Sequence, residues 1–259
     1  MTAPGRTWFA DERHAEVLRM LAAERRVESS DLARRFNVSA ESIRKDLALL
    51  EARGLLRRVH GGAVAHRRHS EEPAVGTRTQ NAEQKSAIAK HALRLVPHGG
   101  SLLLDAGSTT LRLAESLPGD RDLVVYTNAL PLASVLLRRG FAVAILGGRL
   151  RPETGAAVGP LTVAALGDIN VDVAFLGTNA LSLERGLTTP DADEALIKHA
   201  MLAAARQRVF LVDSSKFGRE SLSKHADLHD VDILVTDAAL DAEHRERLLA
   251  LEVTVEVAR

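Results

Sequence analysis

The chain has 259 residues, of which 46% are hydrophobic and 26% charged, and it contains no cysteine. At roughly 150 residues per domain, this length favours one large or two modest domains, and the apolar content excludes wholesale disorder. Without cysteine there is no disulfide framework, thiolate zinc site or cysteine nucleophile. No apolar run approaches the ~20 residues that span a bilayer, and the N-terminus lacks the apolar core of a secretory signal. We therefore expect a cytoplasmic protein with no membrane partner.

The formal net charge of zero hides a division near residue 70. Residues 1–69 contain 14 lysines and arginines against 9 aspartates and glutamates, a net charge of +5, whereas the rest of the chain contains 20 against 25, a net charge of −5. A small basic module joined to a larger acidic one favours nucleic-acid binding by the first, although such a division also arises by chance.

The basic part predicts three short helices followed by a hairpin. Apolar residues recur at helical spacing over three stretches: Glu12–Glu24, Leu32–Phe36 and Ile43–Leu50. Ser39 can cap the third helix, and the segment from Leu55 to Val64 predicts a hairpin with Gly61-Gly62 at or near its turn. This order is typical of a winged helix-turn-helix, which we place at residues 10–66.

The third helix has the composition of a helix that reads DNA. Ile43 and Leu47 face the core of their own domain, whereas polar residues on the other faces can reach base edges or phosphates. The candidate DNA-binding residues are Ser39, Ser42, Arg44 and Lys45 on this helix, and Arg57, Arg58 and His60 in the wing. An ordinary amphipathic helix with solvated charges is the alternative for a single Arg-Lys pair, but the whole assembly favours DNA binding.

Residues 67–82 show little periodicity and predict a linker. Residues 83–259 instead show short apolar runs that alternate with helical patterns. Short apolar runs there predict strands at Ser101–Leu104, Leu123–Tyr126, Ala142–Leu146, Val171–Leu176, Val209–Val212, Ile233–Val235 and Val253–Val257. Helical patterns separate many of them, at Ala82–Leu95, Thr109–Leu117, Leu130–Arg139, Glu194–Arg206 and Ala242–Leu251. This alternation indicates an α/β domain with a mostly parallel sheet.

The junction after the first of these strands predicts an anion site. Asp105-Ala106-Gly107-Ser108-Thr109-Thr110 follows a buried strand and starts a helix, so that backbone N–H groups and hydroxyls point at one spot. Ser108, Thr109 and Thr110 can donate to phosphate oxygens, and Asp105 can accept from sugar hydroxyls. A cluster of helix caps with no ligand is the equally good alternative.

Other strand ends carry similar groups, and ligands of open α/β sheets bind beyond the carboxyl ends of strands. The candidates are Thr127, Asn128, Gly147, Gly148, Arg149, Gly177, Thr178, Asp213 and Lys216. Each alone is more simply a plain turn, and Lys216 could be a solvated surface lysine, although it and Arg149 are the natural counter-charges. Glu194 and Lys198 stand four residues apart, which by itself favours a helix-surface ion pair. No metal-ligand cluster or catalytic constellation stands out, so we expect neither a cofactor nor an enzyme.

The motifs also carry a family resemblance. Val38-Ser39-x-x-Ser42-Ile43-Arg44-Lys45-Asp46-Leu47 and Arg58-Val59-His60-Gly61-Gly62-Ala63 closely resemble the DNA-binding signature of DeoR-family bacterial transcription regulators. The family more often has Thr at position 42 and Arg at position 45, and Lys45 lacks the guanidinium fork that makes a bidentate contact with guanine.

The second half resembles the effector domain of the same family. The matching segments are Asp105-x-Gly107-Ser108-Thr109-Thr110, Thr127-Asn128, Gly147-Gly148, Gly177-Thr178, Gly186-Leu187-Thr188, Glu194 with Lys198, Asp213-Ser214-Ser215-Lys216-Phe217 and Thr236-Asp237. The resemblance implies a domain similar in fold to ribose-5-phosphate isomerase, a phosphorylated sugar as effector, a homo-oligomer of at least two copies, and repression of a carbohydrate operon by binding double-stranded operator DNA. A sugar-phosphate isomerase with an appended DNA-binding domain is the alternative, and the sequence does not separate a repressor from an activator.

Overall fold

The computed structural model describes Trp8 and residues 10–24, 26–52, 56–59, 61–65 and 80–258. The chain divides into two compact units, Met1–Ser70 and Glu71–Arg259. Within the described ranges, no helix is both long enough and apolar enough to cross a membrane.

The first unit contains the three predicted helices and the predicted hairpin, which are thereby confirmed. Its elements are α1 (Ala10–Glu24), β1 (Arg26–Glu28), α2 (Ser29–Phe36), α3 (Ala40–Ala52), β2 (Leu56–Val59) and β3 (Gly62–Ala65). The sequence patterns did not predict β1, which pairs with the free edge of β3 and makes a three-stranded antiparallel sheet. Three residues are too few for an alternating pattern to stand out.

Two glycines make this small sheet possible. Gly61 occupies the hairpin turn with a φ of +81°, a conformation that favours glycine. A Cβ atom on Gly62 would lie 2.0 Å from the carbonyl oxygen of Val27, so only glycine lets β1 approach β3 this closely. Inside, fully buried apolar side chains from all three helices and β2 form one core, including Leu32, Phe36, Ile43, Leu47 and Leu56. The outer side of α3 is left to solvent.

The second unit contains an α/β fold. In chain order its elements are α4 (Ala82–Ala92), β4 (Gly99–Leu104), α5 (Ser108–Ser116), β5 (Asp122–Thr127), α6 (Leu130–Arg138), β6 (Ala142–Ile145), β7 (Arg149–Leu150), β8 (Ala157–Val158), α7 (Pro160–Gly167), β9 (Val171–Leu176), β10 (Ala180–Ser182), β11 (Gly186–Thr189), α8 (Ala192–Ala203), β12 (Ala205–Leu211), β13 (Ser223–Ala226), β14 (Ile233–Asp237), α9 (Ala242–Ala250) and β15 (Thr254–Ala258). All seven predicted strands are confirmed, and they form one parallel sheet in the order β15-β14-β12-β9-β4-β5-β6.

Helices cover both faces of this sheet, which confirms the predicted fold class. Helices α4, α5 and α6 bury Ile88, Leu113 and Leu132 against one face, and α7, α8 and α9 bury Leu166, Ile197 and Leu248 against the other. Strands covered on both sides lose contact with water altogether, which is why they read as continuous apolar runs in the sequence.

The direction of the chain reverses between β4 and β9. After β4 the chain moves through β5 to β6 at one edge of the sheet, and after β9 it moves through β12 and β14 to β15 at the other. The helices that follow β4 and β9 consequently leave on opposite faces, and we refer to the region at the carboxyl ends of these two strands as the crevice. Ligands of open α/β sheets bind at such a reversal of strand order.

Short antiparallel elements surround this crevice, and the sequence patterns did not predict them. The hairpin β7–β8 follows β6, and a three-stranded sheet is formed by β10, β11 and β13. Helix α7 was also not predicted, because Pro160–Gly167 contains no charged residue and so lacks the polar side of an amphipathic helix.

Candidate functional site

A buried lysine bridges the two strand ends at the reversal point. Lys198 of α8 pairs with Oδ2 of Asp105 and donates a hydrogen bond to the carbonyl oxygen of Gly177 at 2.9 Å. The backbone N–H of Gly177 donates to the same carboxylate oxygen at 3.1 Å. The side chains of Lys198 and Asp105 are only 6% and 3% exposed. Asp105, which we expected to accept from sugar hydroxyls, is therefore held by donors of the protein itself.

The ion pair predicted between Glu194 and Lys198 from their spacing is not formed, so that prediction is wrong. Glu194 pairs with Arg151 instead and accepts a hydrogen bond from Thr154 Oγ1 at 3.0 Å. Both side chains point inward because α8 packs over the crevice, where partners from distant parts of the chain are nearer than the next turn of the helix. The two residues thus fix loops around the crevice and are not a surface pair.

Arg151 was not predicted as a site residue. Its ion pairs attach the β7–β8 hairpin to the start of α8. Its side chain is 18% exposed, pairs with Glu194, and lies 3.5 Å from a carboxylate oxygen of Asp191. Burial tends to lower the pKa of Arg151, but these carboxylates outweigh it and raise the pKa above its ordinary value. Arg149, the predicted counter-charge, instead pairs with Asp193 at 2.5 Å on the surface.

The first turn of α5 offers donors without acceptors. Within the described parts of the chain, the backbone N–H groups of Ser108, Thr109 and Thr110 and the hydroxyls of Ser108 and Thr109 make no hydrogen bond. The hydroxyl of Thr110 is used differently, since it donates to the carbonyl oxygen of Asp105 at 2.7 Å. Gly107 precedes the helix in an extended conformation and leaves the helix end uncapped by any side chain.

The end of β5 serves mainly to hold its neighbours. The buried Thr127 hydroxyl donates to the carbonyl oxygen of Leu104 at 2.7 Å, which ties β5 to β4. Asn128 donates through Nδ2 to the carbonyl oxygen of Ala157 at 2.9 Å, and this bond fixes the β7–β8 hairpin. The oxygen of the same side-chain amide, Oδ1, is buried and has no partner in the structure.

The two glycines after β6 allow close packing. The carbonyl oxygen of Gly147 accepts from Thr162 Oγ1 at 2.7 Å. A Cβ atom on Gly148, whose φ is +155°, would lie 2.2 Å from the same hydroxyl oxygen. These glycines therefore let α7 pack beside the strand end.

At the end of β12 a carboxylate is surrounded by protein donors. Asp213 Oδ1 accepts from Asn81 Nδ2 at 2.8 Å and from the hydroxyl of Ser215. Asn81 falls in the stretch that we predicted as a linker, and no pattern in the sequence indicates this contact. Lys216 ends the short turn that follows Asp213 and is half-buried, and it pairs with no carboxylate in the described residues.

A buried histidine, His225, contacts Thr178. The Thr178 hydroxyl lies 2.9 and 3.0 Å from the carbonyl oxygens of Ala180 and Thr188, and 3.1 Å from Nε2 of His225. Burial lowers the pKa of His225 well below its ordinary value, and the charges of Lys198 and His199 lower it further. Nε2 of His225 and the Thr178 hydroxyl thus form a hydrogen bond. His225 was not predicted, since the ten histidines show no informative spacing.

The second unit contains buried polar atoms without partners in the structure. In the described residues of this unit they are Asn128 Oδ1, His225 Nδ1 and Thr236 Oγ1. Asn128 and Thr236 stand at the carboxyl ends of β5 and β14, and His225 contacts Thr178 just beyond β9. Nearly all buried polar groups in proteins are satisfied by protein, water or a ligand, so this end of the sheet is polar enough to hold a bound molecule.

In the first unit, α3 presents its polar side chains outward. Ser39 caps the helix, accepting from the backbone N–H of Ser42 at 3.1 Å, as predicted. Arg44 is 67% exposed and lies 2.9 Å from Glu41 one turn earlier. Lys45 is exposed and pairs with no acidic group in the described part of the chain.

The wing is attached to α3 by a bidentate contact. Glu51 accepts from both the backbone N–H and Nε of Arg58, at 2.8 and 2.7 Å. The backbone of Arg57 pairs with Val64 in the hairpin, and His60 lies outside the described residues. Arg58, a predicted wing cation, is thereby held beside the predicted recognition helix.

The inner side of α3 is fastened to α1 by Asp46. Its carboxylate accepts from Arg13 Nε at 2.8 Å and from Nη2 at 3.2 Å, and it lies 3.0 Å from His14 Nε2. Burial tends to raise the pKa of Asp46, but the hydrogen bonds from Arg13 and His14 outweigh it and lower the pKa. This buried contact fixes the orientation of the helix that carries Arg44 and Lys45.

One group of side chains in the described residues could approach a metal ion, namely Asp227, His229 and Asp230. The two aspartates already cap each other's backbone in a short turn, and Asp227 also pairs with Lys224. Since these bonds use the carboxylates for local structure, the cluster is explained without a metal.

Comparison with known proteins identifies the two units. Residues 13–69 match the model of the DeoR-like helix-turn-helix domain, and residues 80–238 match that of the DeoR C-terminal sensor domain. The chain belongs to the DeoR family. It is a DNA-binding transcriptional regulator, as the resemblance implied.

Named relatives of this DeoR-family chain match along most of its length. It is 41% identical to the HTH-type transcriptional regulator GlpR of Haloferax volcanii, over 89% of this chain and 90% of that protein. It is 37% identical to the regulator FruR of Bacillus subtilis, over 88% and 91%. It is 31% identical to the glycerol-3-phosphate regulon repressor of Haemophilus influenzae, over 86% and 88%. Among solved structures, ribose 5 phosphate isomerase A of Neisseria gonorrhoeae is similar at 18% identity with a TM-score of 0.41, over 54% of this chain and 55% of that one.

Proposed function

We propose that this regulator represses a carbohydrate operon and leaves its operator when a phosphorylated sugar or a related phosphorylated metabolite binds at the strand-end crevice. The observation that carries this proposal is an imbalance between donors and acceptors. The carboxylates of Asp105, Asp213 and Asp237 are each engaged by protein donors, whereas the donors of the first turn of α5 are not. Such a site favours a ligand with a negative charge.

The phosphate would bind at the first turn of α5, and Lys216 would complete its coordination. Lys216 follows β12, which is two strands from β4, so that about 10 Å separates the two strand ends. The extended Lys216 side chain covers most of this distance, so that it reaches a phosphate at α5 and leaves the sugar hydroxyls to meet polar atoms such as Asn128 Oδ1. The relatives support this ligand class, because one of them is named as the repressor of a glycerol-3-phosphate regulon.

The DNA-binding side of the proposal rests on α3 and the wing. Arg44 and Lys45 are exposed on α3, and Arg58 is held beside it by Glu51. We propose that these residues, with Ser42, contact operator DNA in the cytoplasm. Helix-turn-helix proteins commonly bind as dimers to half-sites one helical turn apart, so we also propose a homo-oligomer of at least two copies.

A sugar-phosphate isomerase is the weaker candidate. Glu194 and Asp213 could serve as general bases, but Glu194 is paired with Arg151 and Asp213 accepts from Asn81 and Ser215. A base that is already committed to protein donors is poorly placed to abstract a proton. The named relatives are transcriptional regulators, which also supports regulation without catalysis.

The experiment that tests the proposal measures binding to DNA from upstream of the chain's own gene. Binding would be compared with and without glycerol 3-phosphate, fructose 6-phosphate and ribose 5-phosphate, with inorganic phosphate and the unphosphorylated compounds as controls. We expect specific binding that one phosphorylated compound weakens. Specific binding that no phosphorylated metabolite alters would refute the effector, and turnover of ribose 5-phosphate would favour the isomerase.

A further inference from the structure

Asn81 adopts an unusual conformation directly before α4. Its backbone is left-handed, with φ of 54° and ψ of 39°, and its side chain makes no hydrogen bond to the helix that it precedes. Asparagine is a favoured helix cap, so this side chain gives up the usual local bond. Its Nδ2 donates instead to Asp213 Oδ1 at 2.8 Å and to Ser215 Oγ at 2.9 Å. Asparagine adopts the left-handed conformation more readily than other non-glycine residues, and here the side chain is held by contacts that are distant in the chain.

The turn that Asn81 holds also carries Lys216. Asp213 is buried, and its carbonyl oxygen accepts from the backbone N–H of Lys216 at 3.0 Å. The backbone N–H of Ser214 donates to Asp237 Oδ2 at 2.8 Å. Asn81 and Asp237 thus hold the turn from two sides, so that Asn81 is bonded to the same turn that carries Lys216.

Helix α4 contacts the other half of the proposed anion site as well. Arg112 of α5 donates to Ser86 Oγ at 3.2 Å and to the carbonyl oxygen of Ser108 at 3.0 Å. Ser108 is one of the residues that we propose to bind the phosphate. The first two turns of α4 are therefore bonded to both sides of the site, through Asn81 on one side and Ser86 on the other.

The start of α4 also follows in sequence on the stretch that comes from the DNA-binding unit. The carbonyl oxygen of Gln80 accepts from Lys85 Nζ at 2.8 Å, and that of Asn81 accepts from the backbone N–H of Lys85 at 3.0 Å. These bonds fix the direction in which residues 80 and 81 enter the helix. A change at Asn81 would consequently act on the entry of residues 80 and 81 into α4.

We propose that Asn81 is the positioning residue that couples the effector site to the DNA-binding unit, an inference that rests on the proposed function. When an anion binds between the first turn of α5 and Lys216, the turn after Asp213 moves, and the bonds of Asn81 change with it. The two states of the protein then differ in effector affinity and in operator affinity, which is the requirement for allosteric coupling.

The test is the variant Asn81→Gly, with Asn170→Gly as the matched control. Glycine removes the side-chain bonds but accepts the left-handed backbone, so the variant isolates the contact with Asp213 and Ser215. Asn170 is exposed and stands outside the contacts described above. Operator dissociation constants would be measured with and without glycerol 3-phosphate, fructose 6-phosphate and inorganic phosphate, and calorimetry would measure the binding of each compound to the protein directly.

We expect the wild type and Asn170→Gly to lose about 10-fold or more in operator affinity with at least one of these compounds, within the usual range of allosteric coupling. In Asn81→Gly this loss falls below about 3-fold, while calorimetric binding of the same compound and operator affinity without it stay within about 3-fold of wild type. Asn81→Asp, which sets a carboxylate against Asp213, loses the response in the same way and serves if Asn81→Gly does not fold.

Two results would overturn the coupling while leaving the proposed function intact. One is that the phosphorylated compound still weakens operator binding by Asn81→Gly as much as it does for the wild type. The other is that this variant no longer binds the compound in calorimetry, which would make Asn81 part of the ligand site itself. A wild type whose operator binding none of the compounds alters would instead reject the effector site, and the coupling with it.

Discussion

Lys198 is a charged side chain in a position from which the sheet and α8 exclude water. It stands on the same helix as Glu194, but its partners are Asp105 and Gly177 at the ends of two central strands. A buried charge is tolerated when its partner and its hydrogen bonds are both in place, and removal of one partner leaves the other uncompensated. The pair therefore acts as a structural bridge across the crevice.

We expect Lys198→Met to lower the free energy of unfolding of the second unit by about 3–5 kcal/mol, because Asp105 would be left as an unpaired buried carboxylate. Urea denaturation followed by circular dichroism measures this loss. The control is Lys224→Met, which breaks an exposed pair with Asp227 and should cost at most about 1 kcal/mol. Equal effects of the two substitutions would contradict the bridging role.

Arg44 is the residue on which sequence-specific DNA binding should depend most. Its guanidinium is exposed and pairs only one turn away with Glu41, so it is available to a base edge. We expect Arg44→Ala to weaken operator binding by about 1–3 kcal/mol and to change binding to scrambled DNA far less. Fluorescence anisotropy with both DNAs measures the difference, with Arg206→Ala, an exposed arginine of the other unit, as the control. A loss of the same size on both DNAs would assign Arg44 to phosphate contact.

For single residues, the sequence patterns identified side chains that bond to near neighbours in the chain and missed side chains whose partners are distant in the chain. Ser39 caps α3 as predicted, since a cap depends on neighbours within one turn. Asn81, Arg151 and His225 carry no local signal, because their partners are distant in the chain. The ion pair expected from the spacing of Glu194 and Lys198 failed for the same reason: four-residue spacing describes an isolated helix and ignores what packs against it.

Among the elements, α3 depends most clearly on one contact with a neighbour. The Asp46 carboxylate joins α3 to Arg13 and His14 of α1, and its pKa is lower in the folded protein than in the unfolded chain, where it is about 3.9. A lowered pKa stabilises the fold above the unfolded value, and this stability is lost as the pH falls through the folded value.

We expect the first unit to lose stability on acidification below about pH 4, and Asp46→Asn to remove part of that dependence. The single tryptophan, Trp8, packs edge-on against Phe36 in this unit, so its fluorescence follows unfolding there. Urea midpoints between pH 7 and pH 2.5 would be compared for the two proteins. Glu16, whose pKa the contacts with Arg19 and Arg35 lower to about 2, titrates equally in both. If the pH dependence of the urea midpoint were the same in Asp46→Asn as in the wild type, the stabilising contact of Asp46 with Arg13 and His14 would be contradicted.

Elements were predictable where periodicity extends over enough residues. All seven strands of the parallel sheet appear as apolar runs because helices cover both of their faces. Strands β7 and β8 have only two residues each, which is too few for a sequence pattern. The hairpin that they form nevertheless brings Arg151 and Thr154 to the crevice. The polar lining of the site was consequently harder to predict than the sheet that supports it.

For the whole molecule, two compact units with separate cores predict two separable unfolding transitions. A ligand that binds only the second unit stabilises that unit by mass action, by about 2.7 kcal/mol at a hundredfold excess over its dissociation constant. We expect the phosphorylated effector to raise the melting temperature of the second unit in calorimetry and to leave the unfolding seen by Trp8 fluorescence unchanged. If the effector raised the midpoint seen by Trp8 fluorescence as much as the midpoint seen in calorimetry, the two units would unfold together.

The division of α3 into a buried and an exposed side has a consequence for how operator preference can change. Ile43, Leu47 and Asp46 hold the helix in place from within, and the residues that face solvent contribute little to that attachment. Substitutions at Ser42, Arg44 and Lys45 can accordingly accumulate, by drift or by design, without loss of the scaffold. One sensor unit can therefore be joined to many different target sequences by exchange of a few surface side chains.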